Sequence, residues 1–203
     1  MKALILAFAI IGGVVTAAAA ITYAGFYNVS ADDAHWGITR GFIASVRERS
    51  IARHSREVGK PPTLDDPALL AMGAEHYDEM CVGCHLAPGV EDSEIRAGLN
   101  PKPPKLAAAG IRRPPEQDFW IIKHGFKMTG MPAWGVTHDD QKIWAMAAFV
   151  QKLPGLSRAD YDALVASGRG AGHSHEEAEP AHEHEHEHDH EHGDADADHH
   201  HDD

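Results

Sequence analysis

The side chains with the most distinctive chemistry stand together in Cys81-Val82-Gly83-Cys84-His85, and these two cysteines are the only ones in the chain. On a helical turn, positions i, i+3 and i+4 share a face. Two thiols and an imidazole therefore point the same way. Three chemistries use such a set. Two thiols can add to the vinyl groups of a haem while the following histidine ligates the iron, which is the C-x-x-C-H signature. A thioredoxin-like dithiol wants a βαβ context, and no strand pattern of any length occurs here. A structural zinc wants further ligands at matching spacing, and no other cysteine is present to supply them. The spacing favours one covalent haem c on Cys81 and Cys84, with His85 as proximal iron ligand.

A low-spin electron carrier needs a sixth ligand. Lys127-Met128-Thr129-Gly130-Met131-Pro132-Ala133-Trp134 lies about 45 residues downstream, and a thioether axial ligand raises the potential relative to a second histidine. Met131 stands between Gly130 and Pro132, which are expected to fix the loop and aim its sulfur inward. Met128 is the competitor, with core packing as its alternative fate.

The elements that must position these groups are all helical. Asp65 or Asp66 is placed to cap a helix from Pro67 to about Met80, with proline at its first position. Further helices read over 115–124 and 139–152, the last opened by a Thr137–Asp140 capping pattern and stopped by Pro154-Gly155. Residues 86–118 are rich in proline and need something else to organise them. A folded unit of about 90 residues with so much irregular chain is marginal without a staple, and a large buried cofactor supplies one.

Several pieces of 66–155 together resemble a monohaem class I cytochrome c related to the haem-bearing subunits of haem–copper oxidases. Gly73-x-x-x-Tyr77-x-x-x-Cys81 is similar to the family's first helix, and Phe149 to the aromatic of its C-terminal helix. Pro104-Lys105-Leu106 resembles the element whose proline carbonyl accepts a hydrogen bond from the proximal histidine, with Pro103 an alternative for that role. Thr129-Gly130-Met131-Pro132 resembles the distal loop. The resemblance implies an all-α cytochrome c fold, three to four short helices and Pro-rich loops around one haem. It further implies His85/Met131 ligation, one-electron Fe(III)/Fe(II) cycling and no position left for a substrate, hence a non-catalytic carrier serving redox protein partners. Trp134 and Trp120 are candidates to line the pocket, or generic core. Arg96, Lys102, Lys105, Arg112, Arg113, Lys123 and Lys127 are candidates to steer an acidic partner to the crevice, or scattered solubilising charge.

The flanks are of different character. Residues 1–27 are uncharged and mostly apolar after Lys2, enough to span a bilayer. Thr16 to Ala20 would suit a signal-peptide cut, but the apolar run continues through Ile21, Tyr23, Phe26 and Tyr27. An uncleaved anchor places the protein on the periplasmic face of the inner membrane, and a cleaved signal makes it soluble and periplasmic. Residues 28–65 are expected to hold an amphipathic basic helix and a stiff linker. Trp36, Ile38, Phe42, Ile43, Val46 and Ile51 alternate there with Arg40, Arg47, Arg49, Arg53 and Arg56. Such a helix packs on the domain or lies at a membrane surface. Residues 156–170 read as a linker.

The last segment, 171–203, holds 13 acidic residues, no basic ones and 11 of the 17 histidines, whereas 1–170 carries 18 of each charge. The body therefore has no basic footprint for nucleic acid. The tail cannot bury a core and reads as disordered. His182, His184, His186, His188, His190 and His192 alternate with carboxylates and suit Zn²⁺, Cu²⁺ or Ni²⁺. Two alternatives to the carrier stay open: a metal-handling protein centred on this tail, and a haem enzyme whose methionine ligand dissociates.

Overall fold

A computed structural model describes residues 1–108 and 112–172. The tail histidines thus lie outside the described residues. All regular structure among those described is helical: α1 (Lys2–Tyr23), α2 (Gly37–His54), α3 (Pro67–Met80), α4 (Val82–His85), α5 (Glu94–Gly98), α6 (Pro115–His124), α7 (Asp140–Lys152) and α8 (Arg158–Gly172).

Local chemistry sets the helix ends. Asp66 caps α3, its carboxylate accepting from the Ala68 and Leu69 amides at 2.8 and 3.1 Å. Asp139, rather than the expected Thr137, caps α7 by accepting from the Lys142 amide at 2.9 Å. The Thr137 hydroxyl is instead engaged with the Trp134 carbonyl and His138 Nδ1.

The core forms where α3, α7 and α8 cross. A Cβ on Gly73 would stand 2.0 Å from the Ala145 carbonyl oxygen and 2.9 Å from Phe149 Cβ, so α3 and α7 meet backbone to backbone. Tyr77, Phe149 and Tyr161 cluster beside this crossing, with the Tyr77 and Phe149 rings 5.3 Å apart. A second cluster of Phe119, Ile122, Ile143, Met146 and Ala147 joins α6 to α7.

One expectation needs correction. Residues 156–170 are not a linker, because α8 packs on α3. The signal is a capping box: the Asp160 amide donates to Ser157 Oγ, and that hydroxyl donates to the Asp160 carboxylate. Tyr161, Val165 and Gly168 then follow at i, i+4 and i+7, all buried. A Cβ on Gly168 would lie 2.3 Å from the Ala71 carbonyl oxygen, a second close crossing. The basic helix α2 packs on the domain only through its C-terminal end. Ile51 and Ser55 are buried there, and Arg113 grips Glu48 with bonds of 2.7 and 3.1 Å. That guanidinium holds the Glu48 carboxyl below its usual pKa. The apolar residues of the N-terminal half remain exposed.

Candidate functional site

The proximal side is built by the end of α3 and one further turn. Cys81 closes α3, and the Cys84 and His85 amides both donate to the Cys81 carbonyl, at 3.1 and 2.8 Å. This turn places the two thiols and the imidazole together. Leu86 then breaks the helix with φ of 66°, a conformation unfavourable for a residue with a branched side chain. Its buried carbonyl accepts from the Tyr77 hydroxyl at 2.7 Å, which secures the turn directly behind His85.

The Pro-rich loop folds back over this turn. Ser93 Oγ donates to the Gly83 carbonyl, and the Leu106 amide to the His85 carbonyl. His85 Nδ1 lies 2.9 Å from the Pro104 carbonyl oxygen. Nδ1 must carry the proton in that bond, which leaves the Nε2 lone pair free for a metal. Burial lowers the His85 pKa, and the bond to Pro104 only partly opposes this, so the ring is neutral at neutral pH. Arg96 secures the loop by donating from Nε to the Pro103 carbonyl at 2.9 Å while pairing with Asp92 at the same distance.

The distal side is a short hairpin after α6. Gly125 has φ of 60°, and a Cβ there would stand 2.5–2.6 Å from the carbonyls of Pro132 and Met131. The Phe126 amide donates to the Met131 carbonyl at 3.1 Å, and Thr129 bridges the tip with bonds to Phe126 and Met131. Gly130 faces the Leu99 side chain. The close backbone approach is therefore carried by Gly125, a residue not singled out from sequence, rather than by Gly130. Met128 sits at the tip with φ of 57° and full exposure. It neither packs in the core nor lines the cleft.

Cys81, Cys84, His85, Pro104 and Met131 all line one cleft of about 150 Å³ that opens to solvent. Trp134 lines it too, whereas Trp120 stacks on His54 elsewhere. Met131 also packs against the α6–α7 cluster, as does Cys81. The donor set suits haem c: two thiols, a neutral imidazole and a thioether around a mostly apolar cleft. Burial pushes the Cys81 thiol up to about 12, with the neighbouring Cys84 adding to the shift. A dithiol redox centre or a zinc site wants the opposite, a lowered thiol pKa.

The charges expected to flank the crevice are largely neutralised by neighbours. Lys105 pairs with Glu91, Lys102 with Asp92, Arg113 with Glu48 and Lys123 with Asp140. Lys102 nonetheless lines the cleft, as does Arg47 from α2. Sequence reading missed Arg96 as a positioning residue and Arg47 as a lining one. The only local hint for Arg96 is the Ser93 cap that starts α5.

Residues 68–150 match the family described as cytochrome C oxidase, cbb3-type, subunit III. No curated protein and no solved structure matches the chain. The matched span runs from the first turn of α3 to near the end of α7 and so contains every residue of the cleft except Arg47. Residues 68–150 are a c-type cytochrome domain related to the haem-bearing subunits of oxidases, which supports a haem electron carrier.

Proposed function

We propose that the protein is an exported, membrane-tethered monohaem carrier that passes single electrons between protein partners, with His85 and Met131 as axial ligands. The observation that carries this reading is the convergence of Cys81, Cys84, His85 and Met131 on one cleft. When bound there, haem c supplies a one-electron Fe(III)/Fe(II) couple. Cys81 and Cys84 would hold it by thioether bonds. The Pro104 carbonyl holds the proton on His85 Nδ1 and so orients Nε2. Trp134 and the α6–α7 cluster behind Cys81 and Met131 exclude water from the inner wall, which together with a thioether ligand favours the reduced form.

Were His85 and Met131 both to hold the iron, no ligand position would be left for a substrate, which supports a carrier over an enzyme. The cleft has an exposed rim at Pro101, Lys102 and Pro132, where a redox partner would dock. Tethering is supported by α1, whose 22 residues carry no charge after Lys2 and none of which is buried. At about 1.5 Å per residue its length is about 33 Å, enough for a hydrocarbon core of about 30 Å.

The test is a redox titration of the membrane fraction from a host that attaches haem c, paired with haem staining after denaturing electrophoresis. A single one-electron wave and stain that stays with the chain support the reading. Stain that persists in the Cys81→Ala/Cys84→Ala double variant, or an absence of stain in the wild type, would remove it.

A further inference from the structure

The N-terminal half of α2 leaves an apolar face bare. Ile38 is 82% exposed, Phe42 70% and Val46 52%, and these three recur every four residues along one side. Ile43, at 49%, and Trp36, at 60%, flank them. The same stripe continues at Arg49 and Arg53, three and four residues further on. Arg40, Arg49, Arg53 and Arg56 are exposed and form no ion pair among the described residues. The opposite side of α2 carries Ile51 and Glu48, which fasten the helix to the cytochrome body. The bare face is thus part of a fixed surface.

The position of this face says what covers it. The Tyr27 hydroxyl bonds His35 Nδ1 at 2.7 Å, and the Tyr27 ring meets Trp36 edge-on at 5.2 Å. Only residues 24–27 lead from α1 to that contact, so Tyr27 lies at most about 14 Å from the end of α1 and its side chain ties the start of α2 to it. The same connecting loop touches the haem side, where Asn100 Nδ2 donates to the Asp33 carbonyl at 2.9 Å beside Pro101 of the cleft.

We propose that α2 lies in the headgroup layer of the leaflet from which α1 emerges. Ile38, Phe42 and Val46 enter the acyl boundary, and Arg49 and Arg53 pair with anionic lipid phosphates. Apolar burial and basic side chains reaching headgroups are the two terms that hold interfacial helices. Because α2 is fastened to the domain, this contact fixes the height and tilt of the cleft. Its rim then faces partners embedded in the same membrane. The proposal rests on the reading of α1 as an anchor.

Cys81 and Cys84 are consumed by haem attachment on that reading, so an introduced cysteine is the one free thiol. A nitroxide is placed on Phe42→Cys, on Ile38→Cys as a second probe and on Ala166→Cys as an exposed control on α8. The full-length haem-loaded chain is reconstituted into phosphatidylcholine vesicles with or without 30% phosphatidylglycerol. Collision with oxygen is compared with collision with chromium oxalate. In anionic vesicles the labels at 38 and 42 should favour oxygen at least about fivefold over the label at 166. Adding Arg49→Ala/Arg53→Ala, or omitting the anionic lipid, should reduce that ratio at least about twofold.

Carbonate extraction reports on the anchor separately. Retained protein whose labels at 38 and 42 behave like that at 166 would overturn the interfacial helix and leave the anchor standing. Labels shielded from both reagents would mean that protein, such as a second copy of the chain, covers the face, and would also overturn it. Release by carbonate would overturn the anchor and this inference with it.

Discussion

Gly73→Ala tests the helix crossing that shapes the proximal wall. The added Cβ would stand 2.0 Å from the Ala145 carbonyl oxygen and 2.6 Å from its carbon. Ordinary contact begins at 3.4 Å, so α3 and α7 must separate by about 1.4 Å at this point. The obstacle is backbone in a fully buried stretch of α7, and no rotamer change relieves it. Overpacking of this kind costs about 1–3 kcal/mol and occasionally more. Alanine gains about 1 kcal/mol of helix propensity over glycine, which offsets part of the strain. Separation also loosens the Tyr77–Phe149–Tyr161 cluster. We expect a net loss of about 2 kcal/mol, or about 8 °C in Tm for a body of this size. The assay is thermal unfolding of the haem-loaded protein by far-UV circular dichroism. Gly98→Ala serves as the control, because nothing lies within 4 Å of a Cβ there. A Gly73→Ala midpoint within about 2 °C of wild type would refute the close crossing.

Other perturbations probe the site and its frame. Tyr77→Phe removes the donor to the buried Leu86 carbonyl and should destabilise by about 1–3 kcal/mol in denaturant unfolding. No loss would mean that the carbonyl finds another donor. Arg96→Ala frees the Pro103 carbonyl beside the Pro104 acceptor. The reduction potential should move further than in Arg112→Ala, and equal potentials would remove Arg96 from its positioning role. Burial raises the Asp118 pKa to about 6, against the bond from Gln151. The folded state then binds this proton more tightly than the unfolded state does. The Asp118 contribution to stability is therefore lost as pH rises from about 4 to about 6, by up to about 3 kcal/mol. Asp118→Asn should gain on wild type progressively across that range, and a constant difference between pH 4 and 7 would contradict the shift.

How far the sequence discloses the molecule varies by element. The Asp66 cap, Pro67 and the apolar spacing of α3 are local signals, and the helix follows them to its last residue. The Cys81–His85 turn is equally legible, because its chemistry lies within five residues. The Pro104 contact to His85 spans 19 residues, and the family resemblance, rather than any local pattern, pointed to it. The role of Gly125 is invisible locally, since its need for a bare backbone comes from Met131 and Pro132 crossing above it. The helix α8 did carry a signal, the Ser157–Asp160 box, but its weakly apolar face shows its use only against Ala71 and Glu75 of α3. The ion pairing of the crevice cations is likewise a tertiary property, as Arg113 shows by reaching Glu48 across 65 residues.

Met131, and not Met128, is expected to face His85 across the cleft. The most direct measurement is the optical spectrum of the haem-loaded protein, oxidised and reduced, for wild type, Met131→Ala and Met128→Ala. A low-spin spectrum with a methionine-to-iron charge-transfer band is expected in the wild type. That band should persist in Met128→Ala and vanish in Met131→Ala. A band that survives loss of Met131, or a wild type already high-spin, would contradict it.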